Sequence, residues 1–216
     1  MTDHAAGAIA IIGGTGRLGL GLARRLGRAG ARVLIGSRDT SRAHVAAASA
    51  GLDAAAARAN PDAAREADVV FLTVPFEGHD AMLRALGPLL EGKIVVDTTV
   101  SYDRQARAVV LIDGMSAAER AHRLAPGARV VSGFHTVSSE MLADVERPLH
   151  GDVLLCGDDA DAKDRAGTIV RDIGLRPVDA GALAQSRLLE QLAGLLLGLN
   201  RRYRKKDLGI AIVGLD

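Results

Sequence analysis

Ile9-Ala10-Ile11-Ile12-Gly13-Gly14-Thr15-Gly16-Arg17-Leu18-Gly19, continued to Arg32-Val33-Leu34-Ile35-Gly36-Ser37-Arg38, is the stretch whose reading decides the fold. A short continuous apolar run such as 9–13 fills the middle of a parallel sheet. After the glycines, Leu18, Leu22 and Leu26 recur on one helix face over 17–29, Arg24, Arg25 and Arg28 lie elsewhere, and Gly30 ends the helix. A second apolar run follows at 32–36. Gly14-x-Gly16-x-x-Gly19 therefore stands between a strand and a helix, the context that makes G-x-G-x-x-G a dinucleotide site. Gly14 permits the tight turn, Gly16 lets backbone approach the pyrophosphate, and Gly19 allows close helix–strand packing. The helix start offers unpaired N–H groups and a positive dipole end to phosphate.

The end of the second strand selects the dinucleotide. An NAD site presents Asp or Glu about 20 residues after the glycines. This chain has Ser37-Arg38, with Arg42 one turn further on. A hydroxyl and a guanidinium suit a 2′-phosphate, because Arg forms bidentate, charge-assisted bonds to phosphate oxygens. Thr15 adds a hydroxyl donor from the turn. The pattern favours NADP(H) over NAD.

Outward from this unit the chain keeps alternating. Asp39-Thr40-Ser41 offers caps for an alanine-rich helix to about residue 50, Asp53 to Ala57 reads as a weak third strand, and Asn60-Pro61-Asp62 caps a short helix. Asp68 to Val74 is a strand stopped at Pro75, with a helix over 77–87. Lys93 to Asp97 and Arg129 to Gly133 are strands, separated by an irregular stretch at 99–115 and a helix from Ser116 to Leu124. A loop and half-helix at 135–149, a strand at 152–156, a helix at 159–173 and a strand at Arg176 to Asp179 complete the pattern. This is an α/β fold, a Rossmann-type doubly wound parallel sheet with helices on both faces and a small C-terminal helical extension. Residues 1–181 form the NADP-binding domain and 182–216 a helix and tail that packs on it or at a dimer interface. Leu188, Leu189, Leu192, Leu195, Leu196 and Leu199 put a wide apolar stripe on one long helix over 182–206. The basic run Arg201-Arg202-Tyr203-Arg204-Lys205-Lys206 is either a helix end favoured by the dipole or a landing place for an anionic ligand tail. Leu208 to Val213 reads as an edge strand.

Composition narrows the classes. With 48% hydrophobic and 25% charged residues and a formal net charge of +1, the chain gives no global reason to expect nucleic acid. No run approaches the ~18 apolar residues of a membrane span, and the expected location is the cytoplasm. The single Cys156 excludes an internal disulfide and reads as a small buried residue in a strand. The histidines His4, His44, His79, His122, His135 and His150 show no metal spacing. His44 and His122 read as helix-surface residues and His4 lies in the loose start.

Ligands in such sheets bind outside the carboxyl ends of the strands. Three strand ends therefore matter: Thr73-Val74-Pro75-Phe76, Thr98-Thr99-Val100-Ser101 and His135-Thr136-Val137-Ser138-Ser139. They are apolar or hydroxylic, with no Ser-Tyr-Lys relay, no catalytic Lys–Asp pair and no metal set. For His79 and His135 a loop-stabilising hydrogen bond and a role at the ligand stand level. Such a pocket suits direct hydride transfer between two bound rings, in which positioning supplies most of the effect.

The motif set Gly13-Gly14-Thr15-Gly16-x-Leu18-Gly19, Gly36-Ser37-Arg38, Leu72-Thr73-Val74-Pro75, His135-Thr136, Cys156-Gly157-Asp158-Asp159 and Leu175-Arg176-Pro177-Val178-Asp179-Ala180-Gly181 resembles the NADPH-dependent coenzyme F420 reductases, from Ile9 to about Ile212. The resemblance implies hydride transfer between NADP(H) and C5 of a deazaflavin. It implies that Thr15, Ser37, Arg38 and Arg42 hold the 2′-phosphate. Gly14, Gly16, Arg17 and Leu18 then border the rest of the dinucleotide, with Thr73, Val74, Pro75 and Ser139 at its far end. On the deazaflavin side it implies Thr99, Val100, Ser101, His135, Val137, Ser138 and Leu208, with His135 the one candidate for a catalytic part. Departures from the family pattern fall on that side, at 98–101, at Ser138-Ser139 and in the basic run. The domain also resembles the cytosolic part of NADPH-dependent ferric reductases, so reduction of FMN, FAD or ferric iron is the alternative, with a non-catalytic NADPH sensor as a third class. The expected partners are a small-molecule deazaflavin or flavin and a second copy of the chain, not nucleic acid or membrane.

Overall fold

Side-chain alternation along each strand decides which face of the sheet each helix covers. In the computed structural model, which describes residues 7–215, β1 (Ile9–Ile12) and β2 (Val33–Ser37) turn Ile9, Ile11, Val33 and Ile35 to one face and Ala10, Ile12 and Leu34 to the other. His4 lies outside the described residues. Helices α1 (Arg17–Arg28) and α2 (Thr40–Ser49) lie on the first face, where Leu22 and Leu26 of α1 and Ala43 and Ala47 of α2 are buried. Each fully buried leucine contributes about 1.5–3 kcal/mol.

The first face also carries α6 (Ser139–Ala143) and α7 (Ala160–Asp172). The second is covered by α3 (Asn60–Glu66), α4 (Phe76–Leu86) and α5 (Ala117–Leu124). Between these helices run β3 (Ala57–Ala59), β4 (Val69–Leu72), β5 (Ile94–Asp97), β8 (Arg129–Ser132), β9 (Asp152–Gly157) and β10 (Arg176–Asp179). A small antiparallel hairpin, β6 (Tyr102–Asp103) with β7 (Ala108–Val109), stands apart within the stretch expected to be irregular. The sheet order is β10-β9-β8-β5-β4-β1-β2-β3. From β3 to β8 every pair is parallel, and the order turns back at the β1–β4 pair, the switch point at which such sheets bind ligands.

The structure departs from the expected all-parallel sheet at one pair: β9 runs antiparallel to β8, through Val131 opposite Gly157 and Ser132 opposite Cys156. The link from β8 to β9 carries only the five-residue α6, with no long helix of the kind that usually makes a parallel crossover. Arg25, which the leucine spacing set away from the core-facing side, holds this link in place. It is buried and donates to the carbonyls of Met141, Leu142 and Arg147 at 3.0, 3.3 and 2.9 Å, and to that of Asp144.

Other boundaries move. The third strand is Ala57–Ala59, because Asp53 caps a 3₁₀ turn over Ala54–Ala56. Asn60 does not cap α3; it is buried inside that helix, with Pro61 in the first turn. The last helix, α8 (Ser186–Arg202), is shorter than the leucine pattern suggested and follows a 3₁₀ turn at Leu183–Gln185. Its Leu189 packs on Leu154 and Cys156 of β9. Cys156 is buried in its strand as expected, and burial pushes its thiol up to about 11. The tail 208–213 is not a strand. It is tied instead to the start of β9, with Asp152 N–H donating to the Ile210 carbonyl at 2.7 Å and Ile212 N–H to the Asp152 carboxylate at 2.6 Å.

Candidate active site

The turn after β1 is a tight backbone knot. Gly13 adopts φ +78°, a conformation in which a side chain is strained, so it shares with Gly14 the turn-making role read for Gly14 alone. Gly14 N–H donates to Ile11 O at 3.2 Å and to Gly36 O at 3.3 Å, and Gly16 N–H donates to Gly13 O at 3.0 Å. A Cβ on Gly19 would stand 2.7 Å from Gly14 Cα and 2.8 Å from Thr73 Oγ1, so glycine there lets α1 press against the strand ends. At Gly16 a Cβ would meet only Gly13 O, at 3.4 Å. The N-terminus of α1 has no side-chain cap and no acid in its first turn. Its orphan N–H groups and positive dipole end are thus directed outward over this turn, which fits a pyrophosphate.

At the end of β2, Ser37 is buried, with its Oγ accepting from Asp39 N–H at 3.2 Å. Arg38 and Arg42 are exposed, with no ion-pair partner among the described residues. Asp39, the one carboxylate near the position that would take a ribose 2′-OH, is spent on capping α2: it accepts from Ser41 and Arg42 N–H at 2.9 and 3.4 Å. The unspent charge at this strand end is positive, which fits a 2′-phosphate. Arg17 points across to the first turn of α6, pairing with Glu140 at 3.1 Å.

Next along the edge, Thr73 donates its hydroxyl to Ile12 O at 2.9 Å and ties the β4 end to the β1 end. Val74 is half-buried, Pro75 is exposed and N-caps α4, and neither brings charge.

The ends of β5 and β8 are different in kind. Asp97, the last residue of β5, is fully buried. One carboxylate oxygen lies 2.7 Å from Nε2 of the fully buried His79 of α4, and the other accepts from Thr99 N–H at 2.8 Å. The other ring nitrogen of His79, Nδ1, faces Asp80 at 3.1 Å, and Asp80 is gripped by Arg120. Burial alone would lower the His79 pKa, but the two carboxylates outweigh it and raise it. Burial likewise opposes ionisation of Asp97, and the imidazole with Thr99 reverses this and holds its pKa low. Both ring nitrogens of His79 face carboxylates, so both act as donors and the pair is an ion pair.

Ser101 is buried and donates to Val110 O, with Glu190 of α8 at 3.4 Å. Glu190 is itself fully buried and accepts from Ala117 N–H at the start of α5 at 2.6 Å. Burial, reinforced by the Asp97 charge, pushes its carboxyl up to about 7. Beyond β8, Gly133 N–H donates to Asp97 O at 3.1 Å. Phe134 is held at φ +68° with its ring edge-on to Phe71 at 5.4 Å, a left-handed conformation that costs ~1–2 kcal/mol for a residue with a side chain. His135 follows directly. Both its ring nitrogens are buried, and burial lowers its pKa to about 4 despite Asp97 and the Thr99 backbone nearby, so the ring is neutral at physiological pH. The Thr99 hydroxyl is buried beside the Asp97 carboxylate, which Thr99 helps to hold in its charged form.

Val100 and Val137 are half-buried in the same loops, and Ser138 caps α6 through Glu140 N–H at 3.1 Å while donating to Lys206 O at 2.8 Å. Ser139 is the first residue of that helix. Leu208 is half-buried beyond the basic run, its N–H donating to Asn200 Oδ1 at 3.3 Å. The fold thus brings the expected residues to one edge, but engages the Ser101 and Ser138 hydroxyls in internal contacts. Asp97 and Glu190 were missed by sequence reading. One signal for Asp97 was available, a carboxylate ending the otherwise apolar central strand Ile94-Val95-Val96-Asp97.

Residues 8–101 match the family model for NADP oxidoreductase, coenzyme F420-dependent. Over 222 aligned residues the chain is 40% identical to the F420-dependent NADP reductase of Methanothermobacter marburgensis, covering 96% of this chain and 98% of that one. A crystal structure from Arthrobacter sp. FB24, described as a proposed F420-dependent NADP reductase, superposes with a TM-score of 0.79 at 26% identity, covering 95% of this chain and 98% of that one. The chain is also 32% identical over 181 residues to the metalloreductase STEAP3 of Rattus norvegicus; the match covers 83% of this chain and 35% of that protein. Among the described residues no helix is long and apolar enough to cross a membrane.

Proposed function

The chain belongs to the coenzyme F420-dependent NADP oxidoreductases, and from that premise we propose how its residues carry hydride between NADP(H) and the deazaflavin F420. One observation carries the reading. The β1 and β2 ends offer open N–H groups and unpaired guanidinium groups, while the titratable groups at the β5 and β8 ends are locked to each other or neutral. Such an edge holds phosphates on one side and offers no free acid or base on the other. It suits a reaction that needs two rings placed face to face, since positioning alone supplies ~7–11 kcal/mol of a barrier.

In this reading the Gly13–Gly16 turn and the α1 N-terminus hold the pyrophosphate, and Thr15, Ser37, Arg38 and Arg42 hold the 2′-phosphate. Arg17 and Leu18 border the turn, and Thr73, Val74, Pro75 and Ser139 border the nicotinamide. Thr99, Val100, His135, Val137, Ser138 and Leu208 border the deazaflavin, and Ser101 supports that wall from behind through Glu190. Hydride passes from C4 of the dihydronicotinamide to C5 of the deazaflavin, and the accompanying proton comes from water. His135 takes part as a neutral ring that shapes this wall, its two nitrogens buried within it.

The test is direct. Purified protein is mixed with NADPH and oxidised F420, and loss of deazaflavin absorbance is followed. Turnover supports the reading. Turnover with FMN, FAD or ferric iron and none with F420 favours the reductase class to which the STEAP3 likeness points, and turnover with none of them favours a sensor. The reading also includes a homodimer: Leu188 and Leu195 of α8, 60% and 57% exposed, share a helix face that a second copy would cover. Light scattering of Leu188→Asp/Leu195→Asp should show half the wild-type mass, and an unchanged mass would remove the dimer from the account.

A further inference from the structure

Beyond Arg202 the chain turns back on itself. Tyr203 N–H donates to Leu199 O at 2.9 Å, Lys205 N–H donates to Asn200 O at 2.8 Å, and Arg204 sits at φ +52°. That is a helix stop at which glycine is free and a side chain is strained, and this chain places an arginine there. Arg201, Arg202, Arg204, Lys205 and Lys206 are all exposed, and none forms an ion pair among the described residues. Asp207, next in the chain, is held by Arg147 at 2.7 Å. The helix dipole does not account for the cluster, because a helix C-terminus carries only about half a negative charge.

The place of the cluster in the fold is informative. Arg201 donates to Tyr102 Oη at 3.4 Å, in the hairpin that follows β5, and Ser138 of the loop after β8 donates to the Lys206 carbonyl. The segment therefore spans the two loops that border the deazaflavin. It lies away from the 2′-phosphate residues: β5 and β2 are separated by β4 and β1, roughly 14 Å at ~4.8 Å per strand spacing.

We infer that the segment 201–206 is a subsite for the anionic tail of the deazaflavin coenzyme, its phosphodiester and γ-linked glutamate carboxylates, and so sets a preference for long-tailed F420 over the bare deazaflavin riboside. This rests on the reaction proposed above, since it takes F420 as the substrate.

The experiment measures Kd by deazaflavin fluorescence for long-tailed F420 and for the riboside lacking phosphate and glutamates, alongside turnover with NADPH. Wild-type protein should bind the tailed coenzyme about tenfold tighter at low salt, the sum of several exposed charge pairs. The preference should fade at ~1 M salt, where the screening length is ~3 Å. The Arg202→Gln/Lys205→Gln/Lys206→Gln variant keeps the Tyr102 contact and the turn. It should lose most of the preference while its Kd for the riboside stays at the wild-type value. Equal affinity of the wild type for both ligands would overturn the subsite, as would an equal loss for both in the variant. Binding of phosphatidylserine vesicles that disappears in the variant while the F420 preference stays would overturn it too and reassign the cluster. Failure of NADPH to reduce either deazaflavin would overturn the proposed reaction, while the Kd ratio reports on the subsite independently.

Discussion

At the ends of β1 and β2 the cationic and N–H groups are open, with the α1 N-terminus uncapped, Arg38 and Arg42 exposed and without an ion-pair partner among the described residues, and Asp39 turned away to cap α2. At the ends of β5 and β8 they are buried and spent on one another: His79 on Asp97, Asp97 on Thr99, Glu190 on Ala117 and Ser101. The first region needs charge that stays hydrated until a phosphate arrives, and neighbours in sequence build it. The second needs loops held in one geometry around a ring, and partners far apart in the chain build it. The difference separates the two tasks of the site, one holding a charged ligand and the other shaping a wall.

Asp97→Ala should produce the largest effect. It leaves His79 buried with half its charge partners gone, and breaking a buried pair costs ~3–5 kcal/mol. Urea unfolding measures it, and a loss under ~1 kcal/mol would mean that the buried network does not hold the wall.

Glu190 sharpens the same side through pH. Its carboxyl is raised to about 7 in the folded chain from an ordinary 4.5, so the folded state binds the extra proton. The stability linked to Glu190 is full below pH 4.5 and lost as pH rises through 7. Glu190→Gln should remove a decline on the order of 2–3 kcal/mol between pH 5 and 8. Parallel stability curves for wild type and variant in that window would show that Glu190 does not titrate there.

On the open side, Arg38→Ala should raise the KM for NADPH by roughly 10- to 100-fold, the value of one charge-assisted contact of ~1.5–3 kcal/mol, and leave NADH within about twofold. Equal losses for both cofactors would break the comparison, because Arg38 would then hold no 2′-phosphate. The smallest effect belongs to Arg17→Ala, which removes an exposed pair with Glu140 and should change stability by less than ~1 kcal/mol. A larger loss in thermal unfolding would mean that the turn depends on α6.

The same contrast explains what could be read from the residues alone. The glycine turn, Ser37-Arg38 and the α2 cap lie within about thirty residues of each other, and their spacing speaks for itself. His79 with Asp97, Ser101 with Glu190 and Ser116 with Ser186 meet only after the sheet forms, and no local pattern announces them. Arg25 was misplaced for the same reason: its acceptors are carbonyls more than a hundred residues away. The reversal of β9 was hidden because an apolar strand reads alike in either direction, and the tail failed as a strand because its one backbone bond to β9 starts no ladder.

The most direct test of the account follows the hydride itself. NADPH carrying deuterium at C4 of the dihydronicotinamide, on the transferred face, is turned over with oxidised F420, and the product is examined by mass spectrometry and NMR. Two neighbouring rings held without an intervening acid or base should deliver the label to C5 of the deazaflavin, with a primary isotope effect in single-turnover measurements. Label released to water, or NADPH left unoxidised, would contradict direct transfer at this site.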